Sequence, residues 1–184
     1  MDGKRSRLRF TGKKAGVWLA VLLLLNCAGC GYRFSPGGEN LPPEIRTVFV
    51  DIFDNKTSEA NFENQVRSAF IDQIIRGTRF KLADSKEAAD AVLRGSIEGL
   101  SSSPLSYRAT NLAAEERLTA VLNITLEDRN TGKAVWTGSG LSGTADYMVD
   151  AANPTVTQTN RRNNLSKLAN DTAEKAYRLM MSGF

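Results

Sequence analysis

The sequence predicts an α/β (α+β) fold, namely a two-layer sandwich in which a mixed sheet of about four strands has two helices packed on one face. Residues 118–126 alternate apolar and polar side chains, as a half-buried strand does. Residues 61–76 and 163–181 repeat apolar side chains at helical spacing. The predicted order is strand, helix, strand, strand, strand, helix, and one layer of helices on one sheet face buries every apolar stripe.

Residues 1–29 have the layout of a secretory signal. A basic stretch precedes a short apolar run at 17–25, and small residues then lead to Cys30. A membrane-spanning helix needs roughly 20 residues, so we expect a cleaved signal. Ala28-Gly29-Cys30 resembles the bacterial lipobox, which predicts that acyl groups such as palmitate are attached to Cys30. Cys27 is the rival lipidation site, and an ordinary cleaved signal is the other interpretation.

The mature chain begins with a flexible segment. Residues 30–43 are rich in Gly, Pro, Ser and Asn, and we interpret them as a lipidated tether. A single domain at 44–184 follows. Its first strand is predicted at 47–53, where alternate apolar residues share one face. The first helix is predicted at 61–76, with Gly77 at the position of a C′ glycine.

The second half of the domain is predicted to be mostly strand. Residues 79–82 indicate a short strand or its lead-in, and 91–100 alternate as the next strand, which a Ser-Ser-Ser-Pro stretch at 101–104 breaks or bends.

A turn at 128–133 then joins the strand at 118–126 to a hairpin partner at 134–141, which extends to about residue 147. Residues 151–162 are polar and are interpreted as a loop before the last helix.

Composition and charge exclude several classes of function. The signal segment holds six of the 24 Lys and Arg residues and one of the 20 Asp and Glu residues, so the mature chain has a net charge near −1. It therefore lacks the basic character of a nucleic-acid-binding protein. The chain has no histidine, and neither cysteine lies beyond residue 30. We therefore predict no enzyme activity, no metal site and no cofactor.

Six short motifs follow one another along nearly the whole mature chain. They are Cys30-Gly31-Tyr32-Arg33-Phe34, Leu41-Pro42-Pro43-Glu44-Ile45-Arg46-Thr47-Val48, Asn55-Lys56-Thr57, Ala89-Asp90-Ala91-Val92-Leu93-Arg94-Gly95, Leu105-Ser106-Tyr107 and Asp128-Arg129-Asn130-Thr131-Gly132-Lys133-Ala134-Val135-Trp136. In their order and spacing, these motifs resemble the LptE family of lipopolysaccharide-assembly lipoproteins.

The resemblance implies a location and a partner. Members of this family are anchored in the inner leaflet of the outer membrane, on its periplasmic side. They plug the β-barrel LptD and help to deliver lipopolysaccharide to the cell surface. Gly31 agrees with this location, because Asp after the acylated cysteine typically retains lipoproteins at the inner membrane. A nearly neutral domain with polar strand faces is suited to a polar barrel lumen.

The resemblance also implies candidate lipopolysaccharide contacts. Lipopolysaccharide carries phosphates, which Arg and Lys bind through charge-assisted hydrogen bonds. Arg108, in the loop after the second strand, matches a basic position that the family uses for this purpose. A second such position falls near Thr157, which departs from the pattern, but Arg161 and Arg162 lie close by. Lys133 in the hairpin turn is a further candidate. The alternative for each is an ordinary solvated charge.

Two other functions remain open at this point. A free-standing envelope lipoprotein that carries a lipid or glycan would need a cavity with apolar walls, yet the strand at 118–126 is apolar on one face only. An envelope hydrolase would need a nucleophile and a base. Ser139 lies between two glycines in a strand pattern and lacks the strand-to-helix turn of a nucleophile elbow. The adjacent carboxylates Glu115 and Glu116 face opposite sides of a strand.

Overall fold

The structure, a computed structural model, describes residues 40–107 and 113–183. These residues form one sheet of six strands and two helices. The strands are β1 (Thr47–Val50), β2 (Asp54–Asn55), β3 (Lys81–Leu82), β4 (Ala91–Tyr107), β5 (Ala113–Asp128) and β6 (Ala134–Met148). The helices are α1 (Phe62–Arg76) and α2 (Pro154–Ser182).

The sheet is mixed, which confirms the predicted α+β class. The strand order is β3-β1-β4-β5-β6, and β2 also pairs with β4. The short strands β1, β2 and β3 run parallel to their neighbours, whereas β4, β5 and β6 form an antiparallel meander. The sheet has six strands instead of about four. The two additional strands, β2 and β3, contain only two residues each, which is too short for a visible period. Of these, β3 lies within 79–82, the segment predicted as a short strand or a lead-in.

Strands β4 and β5 extend further than their hydrophobic patterns indicate, whereas β6 ends close to its predicted end. Of the two outcomes predicted for 101–104, a break or a bend, the strand is not broken, because β4 remains paired with β5 as far as Tyr107. A register shift between Pro104 and Ser106 accommodates the proline, which has no N–H to donate to the ladder. As a result, β5 already begins at Ala113, well before the apolar run that predicted it.

The sheet therefore has two ends with different surroundings. We call the end formed by 101–107, 113–117 and 146–148 the distal end. The turn between β5 and β6 lies at the other end, where Ala91 of β4 is opposite Asp128 of β5. Because β5 rises by about 3.3 Å per residue, its two ends are roughly 50 Å apart.

Helix α1 matches its prediction closely. The predicted apolar stripe is buried, and its members are Phe62, Val66, Ala69, Phe70 and Ile74. The predicted role of Gly77 is wrong, because its φ of −73° is extended and not left-handed. Glycine is required there for a different reason: a Cβ atom would lie 2.1 Å from the hydroxyl oxygen of Tyr177 in α2.

Helix α2 begins nine residues earlier than predicted, so the loop expected at 151–162 is wrong. Asn153 is the N-cap, and its side-chain oxygen accepts a hydrogen bond from the backbone N–H of Val156. Pro154 occupies the first helical position, where a missing N–H costs nothing. Most side chains in the first two turns of α2 are exposed. They therefore carry no apolar stripe, which is why periodicity alone did not reveal them.

The core lies between the helices and one face of the sheet. The alternate apolar residues of β5 are fully buried: Leu118, Ala120, Leu122, Ile124 and Leu126 are each 0% exposed. Leu165, Leu168 and Met180 of α2 pack against this face. The closest approach is at Gly143 of β6, where a Cβ atom would lie 1.9 Å from the hydroxyl oxygen of Thr172.

Candidate functional site

The predicted site residues fall in three different places. Cys30 and Arg108 lie outside the described residues. Arg161 and Arg162 are on the early turns of α2. These turns begin at the distal end, because the Asn160 side chain donates to the backbone carbonyl of Met148.

Lys133 is at the opposite end of the sheet from Arg161 and Arg162. It follows the β5–β6 turn, in which the Asp128 carboxylate accepts the backbone N–H groups of Asn130 and Thr131. Its side chain is exposed. The length of β5 separates this turn from the distal end by tens of ångströms. Lys133 therefore does not share a phosphate-sized site with Arg161 and Arg162.

Arg161 is held in a bidentate ion pair. Its Nη1 and Nη2 atoms lie 3.1 Å and 2.6 Å from the two carboxylate oxygens of Glu59, which precedes α1. The two side chains are 34% and 25% exposed. The hydrogen bond to Glu59 is the main reason that the pKa of Arg161 is raised. The pair connects the start of α2 to the start of α1. The Glu59 carboxylate already partly neutralises the charge of the Arg161 guanidinium.

Arg162 differs from its neighbour in having no such partner. Its side chain is exposed, and no ion pair or hydrogen bond engages it within residues 40–107 and 113–183. Both arginines line a groove of about 490 Å³, which we call the arginine groove. Its polar wall residues are Glu59, Asn61, Gln65, Gln158, Arg161 and Arg162.

A second polar cluster lies on the helix-facing side of the distal end. The Tyr147 hydroxyl and the Ser102 hydroxyl both donate to the carboxylate of Glu116, the latter at 2.7 Å. These hydrogen bonds, that of Tyr147 first, lower the pKa of Glu116. Burial is the main cause of the raised pKa of Tyr147. The cluster fixes the extended part of the sheet, where apolar packing is sparse.

Sequence reasoning missed the role of this glutamate. The strand period correctly places Glu115 and Glu116 on opposite faces of the strand, but it assigns neither side chain a structural role. The signal that could have identified Glu116 is its spacing from the core residue Leu118, because residues two apart on a strand share a face. A polar residue that continues an apolar stripe needs a hydrogen-bond partner.

The distal end also exposes large apolar side chains. Tyr107 is 65% exposed and Met148 is 55% exposed, and Leu105 of β4 is also exposed. Val156, in the first turn of α2, is exposed as well. Scattered exposed apolar residues are normal, but several at one end of a domain are typical of a contact surface.

The described residues were compared with the requirements of a metal site and of a membrane-spanning helix. No group of three or more His, Cys, Asp and Glu side chains within 40–107 and 113–183 could hold a metal ion. Neither helix in this part of the chain is both long and apolar enough to cross a membrane.

Comparison with known proteins identifies a family and a fold. A family model described as LptE, lipopolysaccharide-assembly, matches residues 45–180. No curated protein matches the chain. Among solved structures, uncharacterized lipoprotein B from Nitrosomonas europaea has 14% identity and a TM-score of 0.51, with coverage of 83% of this chain and 92% of that one.

A protein from Caulobacter crescentus, provisionally described as a lipoprotein, has 17% identity and a TM-score of 0.50, with coverage of 71% of this chain and 88% of that one. At these identities the two structures show that the fold is shared and nothing beyond it.

Proposed function

The chain belongs to the LptE family of lipopolysaccharide-assembly proteins, and on that premise we propose that it is a lipid-anchored plug and assembly factor for an LptD-type β-barrel in the outer membrane. In this proposal the mature protein begins at Cys30, lies on the periplasmic side, and contacts lipopolysaccharide through basic residues at its distal end. The family match across residues 45–180 is the observation that carries the proposal.

The sheet face opposite the helices supports the plug role. On this face Arg117 makes two hydrogen bonds to the carboxylate of Asp146, at 2.7 and 2.8 Å. Thr119, Asn123 and Thr125 alternate with the buried residues of β5 and are only partly covered. A face of this kind, with its charges paired, suits the polar interior of a barrel. The exposed apolar residues at the distal end add a surface for the barrel wall.

The barrel partner can be tested by recovery from membranes. The tagged full-length chain, extracted in mild detergent, should bring down one large outer-membrane β-barrel in stoichiometric amount. Recovery of the chain alone with bound lipid would instead favour the free-standing lipid or glycan carrier.

Lipidation can be tested separately by mass spectrometry of the mature N-terminus. We expect acyl groups on residue 30, their loss in Cys30→Ser and their retention in the matched variant Cys27→Ser. A mature N-terminus that carries no acyl group, or that begins elsewhere, would contradict the anchor.

The lipopolysaccharide contact requires a charge-matched control. Arg108→Glu should weaken lipopolysaccharide binding by about tenfold or more, since it replaces a charge-assisted contact with repulsion. Arg178→Glu is the control, because Arg178 is a highly exposed arginine near the far end of α2. Equal binding of both variants and the unmodified protein would remove Arg108 from the site.

A further inference from the structure

Strand β6 is one edge of the sheet, and its outer side has no strand partner among the described residues. Proteins usually protect such an edge with Lys or Pro residues in the strand or with a bulge. β6 contains no Lys, Arg or Pro, and Asp146 is its single charged residue. A bulge at 139–140 interrupts the pairing with β5, but the register is regular from 141 to 148. The segment 141–148 is therefore an edge without the usual protection in its own sequence.

The backbone groups that face outwards along this edge can be assigned. The Ser142 carbonyl accepts a hydrogen bond of 2.8 Å from Lys175 Nζ, and the Met148 carbonyl accepts one of 3.0 Å from the Asn160 side chain. Both donors belong to α2, so these carbonyls point away from β5. Because outward and inward residues alternate along an antiparallel strand, every second residue from 142 to 148 presents its N–H and C=O groups outwards. Apart from the two carbonyls just named, no hydrogen bond engages these groups within 40–107 and 113–183.

Lys175 brings a positive charge to this edge. Its neighbours on α2 are paired with carboxylates, Lys167 with Asp171 and Arg178 with Glu174. Lys175 is exposed, and it has no carboxylate within ion-pair distance in the part of the chain that the structure describes. Its charge is therefore available to a negatively charged group that approaches β6.

The position of α2 determines which kind of strand can pair with β6. The helix crosses directly over the strand, because a Cβ atom on Gly143 would lie 1.9 Å from the Thr172 hydroxyl oxygen. Paired strands are about 4.8 Å apart, whereas packed helices need about 8–10 Å between their axes. A second copy of the chain that paired antiparallel through its own β6 would bring two α2 helices into collision. The edge instead fits a lone extended segment that has no helix over it.

We propose that the outward edge of β6 at 142–148 binds a lone extended segment of a partner protein by strand addition, and that an acidic side chain of this segment pairs with Lys175. The backbone of the segment takes the outward N–H and C=O groups and displaces Lys175 and Asn160 from their carbonyls. The released ammonium group then meets a carboxylate on the helix-facing side of the added strand. This contact is separate from the sheet face assigned to the barrel interior, and it does not depend on lipopolysaccharide binding.

Two blocked seven-residue peptides serve as probes of the charge preference. Both alternate Thr and Val, but one has Glu at its centre and the other has Lys. Fluorescence anisotropy measures their binding to the full chain in mild detergent. The Glu peptide should bind the unmodified protein about threefold more tightly than the Lys peptide. Lys175→Glu should reverse this preference. Lys86→Glu is the matched control, because Lys86 is an exposed lysine between β3 and β4, and it should leave the preference unchanged.

Thr144→Pro tests the backbone pairing. The N–H group of Thr144 faces outwards, so proline removes a donor from the edge and none from the pairing with β5. We expect it to weaken the binding of both peptides by about fivefold. Far-UV circular dichroism verifies that each variant is folded.

The outcomes that would overturn the proposal are distinct. If neither peptide binds, or if Thr144→Pro binds both as tightly as the unmodified protein does, the edge does not accept a strand. If Lys175→Glu leaves the preference between the peptides unchanged, Lys175 does not select an acidic segment. If sedimentation shows a dimer that Thr144→Pro dissociates, a second copy takes the edge. Recovery of the barrel tests the proposed function independently of all these results.

Discussion

Replacement of Gly143 by alanine tests the contact that holds α2 against the sheet. The added Cβ would lie 1.9 Å from the Thr172 hydroxyl oxygen and 3.3 Å from a methyl carbon of Leu168. Thr172 is 2% exposed, and its hydroxyl donates to the Leu168 carbonyl at 2.6 Å. The helix must therefore move, or the threonine must rotate and lose that hydrogen bond.

The expected cost follows from these distances. Overpacking a buried site lowers the free energy of unfolding by about 1–3 kcal/mol. Alanine also has less conformational freedom than glycine in the unfolded chain, which offsets roughly 0.5–1 kcal/mol of this loss. We expect Gly143→Ala to lower the free energy of unfolding by about 2 kcal/mol, equivalent to a fall in Tm of roughly 4–8 °C for a domain of this size. Gly99→Ala is the control, because a Cβ there meets no atom within 4 Å.

A double-mutant cycle measured by urea denaturation identifies the cause. Thr172→Ala removes the hydroxyl that would collide with the new Cβ, so Gly143→Ala should cost at least about 1 kcal/mol less in that background. If the free-energy changes of Gly143→Ala and Thr172→Ala add within about 0.5 kcal/mol in the double variant, the collision with Thr172 is not the cause of the destabilisation by Gly143→Ala.

Three further predictions concern hydrogen bonds. The pKa of Glu116 is lower in the folded protein than in the unfolded chain. The ionised carboxylate of Glu116 therefore stabilises the fold above the unfolded-chain pKa of about 4.3, and this stabilisation is lost as the pH falls through the folded-state pKa. Glu116→Gln should flatten the dependence of the urea midpoint on pH in this acidic range. Arg79 donates to the carbonyls of Ile45 and Pro42. Arg79→Ala should therefore speed hydrogen exchange at residues 40–46, and unchanged exchange would show that burial alone holds them. Loss of the α2 cap in Asn153→Ala should cost about 1 kcal/mol and increase exchange in the first two turns of α2 while sparing its buried half.

The sequence predicted secondary structure best where a segment has one solvent-exposed face and one buried face. The stripe of α1 and the alternation in β5 were predicted residue by residue, because burial on one side imposes a period of 3.6 or 2. The mixed sheet followed from the connections, since a helix between strands allows parallel pairing and a tight turn requires antiparallel pairing. The two-residue strand β2 was not recognised, because a period is not visible in two residues, and β3 was anticipated only as a short strand or lead-in at 79–82.

The site was predicted less well than the fold for the same physical reason. Arg161 and Arg162 were placed in a loop, whereas they lie on a helix whose first turns are exposed. The start signal was nevertheless present, because Asn153 and Pro154 are a favourable N-cap and first helical residue. The ion pair between Arg161 and Glu59 joins residues 102 positions apart. Such a contact depends on how α1 and α2 pack, which no local pattern encodes.

The two segments whose structure was mispredicted meet at the distal end. Side chains 101–105 of β4 are all exposed, and so are most of those in the first two turns of α2. Ordering such segments costs about 1–2 kcal/mol of backbone entropy per residue, which apolar burial within the domain does not offset. Backbone pairing and the hydrogen bonds of Glu116 offset part of that cost. The distal end is ordered, yet Tyr107 and Met148 remain exposed on it. A partner that buried these side chains would stabilise it further. The distal end is therefore where we expect a barrel partner to make contact.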